Sequence, residues 1–263
     1  MSPPTKWFET PYALIDLPSR PTTIDDPRAP ESIVENVARN MVFVHNFLLR
    51  GLNSIYAQAP YVTAPDVPSF LNYIKTWTVA LQVHHDGEED HLFPFIAKET
   101  GQGDLMAGNI AGHAAFHEGL DRFVALVAEL QQDASKYDGR RIVEVVGAFG
   151  GLLRDHLADE IPTLLALAPY GARLAAGLEA EMRRDGIDSM RKCGLTQGVI
   201  QIFCLDDNTW ENGATRAFPP IPSPVAVVLR RGLYLLHHDW WRFASSDQFG
   251  NPRAQPYARP LAN

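Results

Sequence analysis

Apolar residues recur every three or four positions in four long windows of the chain. Between Glu31 and about Ala57 they fall at Val34, Ala38, Met41, Leu48, Leu52 and Ile55. From Ser69, which suits an N-cap, to about Lys98 they fall at Phe70, Ile74, Trp77, Leu81, Leu92 and Phe95. A third window, about Asp104 to Asp133, shows Met106, Ile110, Leu120, Val124 and Val127, and a fourth, about Arg140 to Leu167, shows Ile142, Val145, Phe149, Leu152 and Leu164. This period places each set on one stripe of an amphipathic helix. Pro60, Pro65 and Pro68 stiffen the first connection, while Gly101, Gly103 and the Ser135–Gly139 stretch mark the other turns. Short connections make neighbouring helices antiparallel, so the expected fold is all-α, an up-down-up-down four-helix bundle. Pro94 and Pro162 interrupt their windows, and Pro94 predicts a kink or a helix end.

The flanks show other patterns. Residues 1–30 carry Pro3, Pro4, Pro11, Pro18, Pro21, Pro27 and Pro30, which predicts an extended lead-in held to the body by Trp7, Phe8 and Tyr12. Beyond Pro169, Tyr170–Arg184 reads as a fifth helix and the prolines at 219, 220, 222 and 224 force an extended segment. Val225–Phe243 reads as a further helix, and the tail from Gln248 as coil. The expected organisation is a lead-in over 1–30, a bundle over 31–168 and a partly helical extension over 169–263.

Polar residues interrupt the four stripes at a common level. His45, His84 with Glu88, His113 with His117, and His156 with Glu160 each occupy stripe positions. Burying one such group without a partner costs a few kcal/mol, so seven at one depth would undo a domain whose whole stability is about 5–15 kcal/mol. Metal ions offset that cost by turning each lone pair into a ligand bond. Mixed imidazole and carboxylate donors suit iron, manganese or zinc better than calcium or magnesium. Shifting the second helix by one residue selects His85 and Glu89 instead, on a less apolar stripe, so the expected inward pair is His84 and Glu88. His85, Glu89, His91 and Asp159 are then expected outside the ligand set, orienting it by hydrogen bonds or serving as alternative ligands.

Composition narrows the class of partner. The 263 residues are 46% hydrophobic and 21% charged, with a formal net charge of −8, which describes a soluble globular protein. An acidic balance speaks against nucleic acid or an anionic membrane as partner. Cys193 and Cys204 make no disulfide framework. With no signal-like or membrane-spanning run in the sequence, the expected location is cytoplasmic.

The order His45, His84-x-x-x-Glu88, His113-x-x-x-His117, His156-x-x-x-Glu160 resembles the ligand order of the hemerythrin family, the HHE cation-binding domain. The run Glu88-Glu89-x-x-Leu92-Phe93-Pro94 is similar to that family too, and the likeness spans about residues 31–168. The resemblance implies two iron ions in a non-haem, oxo- or hydroxo-bridged centre, held by five histidines and two carboxylates and able to take dioxygen as ligand or co-substrate. Oxygen carriers of the family place an aspartate five residues after the last histidine; here that position is Ile161 and the carboxylate is Glu160. That variant resembles iron-sensing and bacterial members, and the long extension resembles those of fungal hemerythrin-like proteins. The expected function is dioxygen binding or iron and oxygen sensing. Its rivals are a di-iron oxidase or oxygenase acting on a small organic substrate under the extension, and a zinc-bound or metal-free scaffold. No catalytic residue is singled out.

Overall fold

The computed structural model describes residues 7–18 and 30–259, with the side chains of Trp7, Pro30, Glu31 and Ser32 and residues 1–6, 19–29 and 260–263 outside the description. Lead-in prolines 3, 4, 21 and 27 therefore lie outside the described residues. Among the described residues, ten α-helices run in the order α1 Pro30–Gln58, α2 Val67–Gly87, α3 Phe93–Thr100, α4 Ala107–Gln132, α5 Gly139–Leu165, α6 Gly171–Leu174, α7 Leu178–Cys193, α8 Val199–Leu205, α9 Ser223–Arg231 and α10 His238–Trp241. No strand occurs among them. The fold is the all-α bundle that the periodicity predicts, with α1, α2, α4 and α5 as its walls.

The α1 stripe is buried throughout, from Val34 at one end to Ile55 at the other. So is much of its opposite face, including Asn46, Arg50, Asn53 and Ser54. Two further packings explain this. On one side Asn46 and Asn53, seven residues apart, present their amides to the lead-in: Asn46 bonds both the N–H and the C=O of Ile15, at 2.8 and 2.9 Å. Asn53 accepts from the Tyr12 N–H at 2.9 Å and donates to the carbonyls of Phe8 and Tyr12 at 3.0 and 2.8 Å. An extended segment has unpaired backbone groups, and these side chains satisfy them where a sheet neighbour would. On the other side the extension covers α1 and α2. Gln58 donates to the Phe243 carbonyl at 2.8 Å, Gln201 donates to the Tyr73 carbonyl at 3.0 Å, and the Phe243 ring meets Phe70 edge-on at 5.0 Å.

Several local expectations change. Ser69 does not cap α2: the helix starts two residues earlier, and the Ser69 hydroxyl donates to Asp239 of the extension at 2.5 Å. Tyr170–Arg184 is not one helix but α6 and the start of α7, parted near Gly177, where a side chain would strike the Phe95 ring. The expected 225–243 helix breaks after Arg231 into a 3-10 turn, Leu233–His237, and the single turn of α10.

In α4 the inward line is Asn109, His113, Phe116, Leu120, Phe123, Val127 and Leu130, while Ile110 is half exposed. The line is turned away from the Ile110, His117, Val124 course that the sequence suggested. Phe116 and Phe123 bury more apolar surface than His117 and Val124, and they set the rotation.

The start of α5 lies directly against the 3-10 turn Ala59–Tyr61 that follows α1. A Cβ on Gly139 would lie 1.8 Å from the Ala59 carbonyl oxygen, and backbone on both sides cannot yield. Gly139→Ala is therefore expected to destabilise the fold by about 3 kcal/mol, read as a fall in Tm of about 10 °C. Gly147→Ala in the same helix meets nothing within 4 Å. That control is expected to hold or slightly raise Tm, since alanine is the better helix former.

Candidate metal centre

The site sits where α2 changes its winding. Pro94 has no N–H to offer the carbonyl of Asp90 four residues earlier, and its ring would press on that turn. The chain widens ahead of it into a π turn, Glu88–Leu92, closed by the Phe93 N–H bonding back to the Glu88 carbonyl. A π turn carries one extra residue per turn and rotates the residues after it about the helix axis. The buried positions accordingly pass from Leu81 and His85 through Glu88 to Leu92, Phe93 and Ile96, with Phe95 only partly covered.

Six of the seven expected residues converge. His45 Nε2 lies 3.1 Å from His84 Nε2 and 3.4 Å from Glu160 Oε2. His84 Nε2 lies 3.2 Å from Glu88 Oε1, and His113 Nε2 lies 3.3 Å from Glu88 Oε2. His156 meets the ring of His113 at 4.5 Å between centroids. The seventh, His117, stands outside: its side chain is 66% exposed and pairs with Asp121 one turn on at 3.1 Å. Its place is taken by His85, expected outside the ligand set but buried, with ring centroids 4.4 Å from His113 and 5.4 Å from His156. Five imidazoles and two carboxylates thus lie together here, with His85 standing where His117 was expected.

Their donor atoms form two groups. His85, Glu88, His113 and His156 bring ligand atoms within 4.8 Å of one another, and so do His45, His84 and Glu88. Glu88 belongs to both, one oxygen facing each.

Neighbours fix which ring nitrogens face the centre. The Leu157 carbonyl, which can only accept, takes a hydrogen bond from His45 Nδ1 at 2.7 Å, leaving the lone pair on Nε2. Glu89 does the same for His113, accepting from Nδ1 at 2.5 Å. Glu89 is thus the orienting carboxylate expected of it. Asp159 is exposed and bonds no ligand through its side chain, and His91 is only partly buried outside both groups. Phe116 closes one side, 5.0 Å from the His85 ring and 5.5 Å from that of His156. Phe93 lies nearly parallel to His113 at 5.9 Å.

The sequence pattern gives no sign of Asp185, on α7 of the extension. It lies so close over Gly87 that a Cβ there would fall 2.3 Å from its Oδ1. Nothing local in the sequence marks this pairing across nearly a hundred residues. Burial lifts the Asp185 carboxyl above its ordinary range, and after burial itself its charge helps to lift Glu88.

These residues fit a cation. His85 Nε2, His113 Nε2, His156 Nε2 and all four oxygens of Glu88 and Glu160 are shielded from solvent without an aligned hydrogen bond. Each such atom costs about 1–3 kcal/mol if nothing meets it. Protonation cannot relieve the set. Burial, aided by neighbouring imidazoles, drives His84 and His156 down to about 3 and His45 and His85 well below their usual range. Burial pushes Glu88 and Glu160 well up. Without a cation, the depressed histidines cost stability as pH falls below about 6.5, where the unfolded imidazoles take up protons that the folded ones refuse. The raised carboxyls cost stability as pH rises above about 4.5, where the unfolded ones release protons that the folded ones keep. No pH satisfies both sets, whereas positive charge between them does.

Residues 36–168 match the hemerythrin HHE cation binding domain, and the chain belongs to that family. Over 220 residues it is 34% identical to the "Dimeric xanthone biosynthesis cluster protein R11" of Cryptosporiopsis sp. (strain 8999), which covers 82% of this chain and 81% of that protein. No solved structure matches it. No helix among the described residues is long and apolar enough to cross a membrane.

Proposed function

We propose that the cluster holds two iron ions and binds dioxygen reversibly. The observation that carries this reading is Glu88, whose two oxygens face two different imidazole sets. His45 and His84 would hold one ion and His85, His113 and His156 the other, with Glu88 and Glu160 serving both. When bound, the iron pair supplies electrons that dioxygen can take and return. The donor set has five neutral nitrogens and only two carboxylates, fewer acids than the four-glutamate sites of ferritin-like di-iron proteins. Fewer anionic ligands support high-valent iron less well, which favours binding over oxidation.

The surroundings support the same reading. The buried rings of Phe93 and Phe116 pack against the imidazoles of His85, His113 and His156 and give the cluster an apolar wall. A cleft of about 200 Å³ is lined by Glu89, Phe93, Pro94, Met106 and Ile110. It is smaller than the roughly 300–1,000 Å³ of ordinary ligand pockets. That cleft gives the second reading its support, because its wall includes the carboxylate that orients His113. A small organic substrate docked there, consistent with the biosynthetic cluster named for the relative, would make the protein an oxidase.

Metal analysis with optical spectra in and out of air tests both. The expected result is close to two irons per chain, with an absorption band that rises in air and fades when oxygen is removed. A band that decays while an added organic substrate is consumed favours the oxidase. Zinc alone, or less than about one metal per chain, rejects di-iron chemistry and leaves a scaffold.

A further inference from the structure

The acidic balance of the whole chain conceals one stretch of opposite character. From Gly213 to His238 there is no Asp or Glu, but there are Arg216, Arg230, Arg231, His237 and His238. Within it, Val225, Val227, Val228, Leu235 and Leu236 are 50–63% exposed. Scattered exposed aliphatics are ordinary; a cluster of them this dense is not. They belong to α9 and to the 3-10 turn Leu233–His237 that packs against it.

The inner side of this element is well anchored. Leu229 is buried, the Arg230 guanidinium lies 4.0 Å over the Phe203 ring, and Arg230 donates to the Gln248 carbonyl at 3.0 Å. The apolar outer side is therefore presented by a held helix. Tyr234 and Trp240 sit half-buried within and beside the patch, as amphipathic rings do at a lipid headgroup level.

Charge identifies the occupant. Arg231 is exposed and Arg216 bonds the Asn208 carbonyl, with no carboxylate among the described residues within ion-pair distance of either. An apolar face that carries Arg231 on its own helix, in a stretch free of acids, matches an anionic lipid surface, where aliphatic chains enter the headgroup boundary and arginine meets phosphate and carboxylate. A second copy of the same face would bring like charges together.

We propose that α9 and the Leu233–His237 turn seat the protein peripherally on an anionic lipid bilayer. The test is co-sedimentation of the full-length protein with phosphatidylcholine vesicles, with and without phosphatidylserine. The expected result is binding to the phosphatidylserine vesicles that weakens with salt. Val228→Asp combined with Leu236→Asp should lower partitioning by at least about tenfold, and Arg231→Gln by about fivefold. Both variants alter exposed positions, so metal content and Tm should match the parent, which separates loss of lipid binding from misfolding. Failure of the parent to bind either vesicle overturns the proposal, as does unchanged binding by the double variant. So does a concentration-dependent dimer that the double variant dissolves, which would make the face a self-interface.

Discussion

Glu88→Gln is expected to abolish loading of both metal positions while leaving the metal-free protein at least as stable as its parent at neutral pH, since the variant has no carboxyl for the unfolded chain to ionise. The amide has the size of the carboxyl, and burial raises the Glu88 carboxyl well above its ordinary range, favouring its neutral form when no cation is present. In the metal-free fold the substitution therefore replaces one neutral group with another. In the loaded protein it removes an anion shared by both imidazole groups. Metal that binds only the folded state stabilises it by about 4 kcal/mol at a thousandfold excess over Kd, or about 10 °C in Tm for a chain of this size. The parent should show that rise on adding ferrous ion, and the variant should show none. Metal analysis and thermal unfolding together check the outcome. A variant that still takes up two metals per chain would remove Glu88 from the centre.

His85→Ala and His117→Ala form the second test, because they separate two rotations of the helices that carry them. His85 Nε2 is buried without a partner in the group with Glu88, His113 and His156. Truncating it takes one of three imidazoles from that position and should lose the metal there. Bound metal should fall by about half, since ligand number governs occupancy. His117 is an exposed residue with a surface ion pair, and such pairs contribute about 0–1 kcal/mol. His117→Ala should keep full metal content and a Tm within a degree or two of the parent. The reverse pattern, full loading without His85 and loss without His117, would mean that α4 turns its other face inward.

Much of the site was legible in the one-dimensional pattern. His45 and His156 with Glu160 lie on stripes whose apolar members identify the inner face, and His113 lies where either rotation of α4 would bury it. His84 and Glu88 were found for the same reason. The exchange of His117 for His85 was not legible from period alone. On α4, His113 to His117 is a four-residue step and His113 to Phe116 a three-residue step, and both fit a 3.6-residue helix. Giving weight to the larger rings at Phe116 and Phe123 would have chosen correctly. On α2 the signal was Pro94, which announced a distortion without saying that the helix would widen and turn both neighbouring histidines inward.

The sequence by itself determined that four helices would form, and that imidazoles and acids would lie at matching levels along them. Those facts come from spacing and side-chain polarity, which are local. Which face of each helix points inward, and which carboxylates from distant segments reach the cluster, was decided only by tertiary packing. Phe116 against His85 and His156, and Asp185 of the extension against Gly87, are contacts between segments far apart in the chain. No local period encodes them, because their energies depend on all the surfaces that meet there at once.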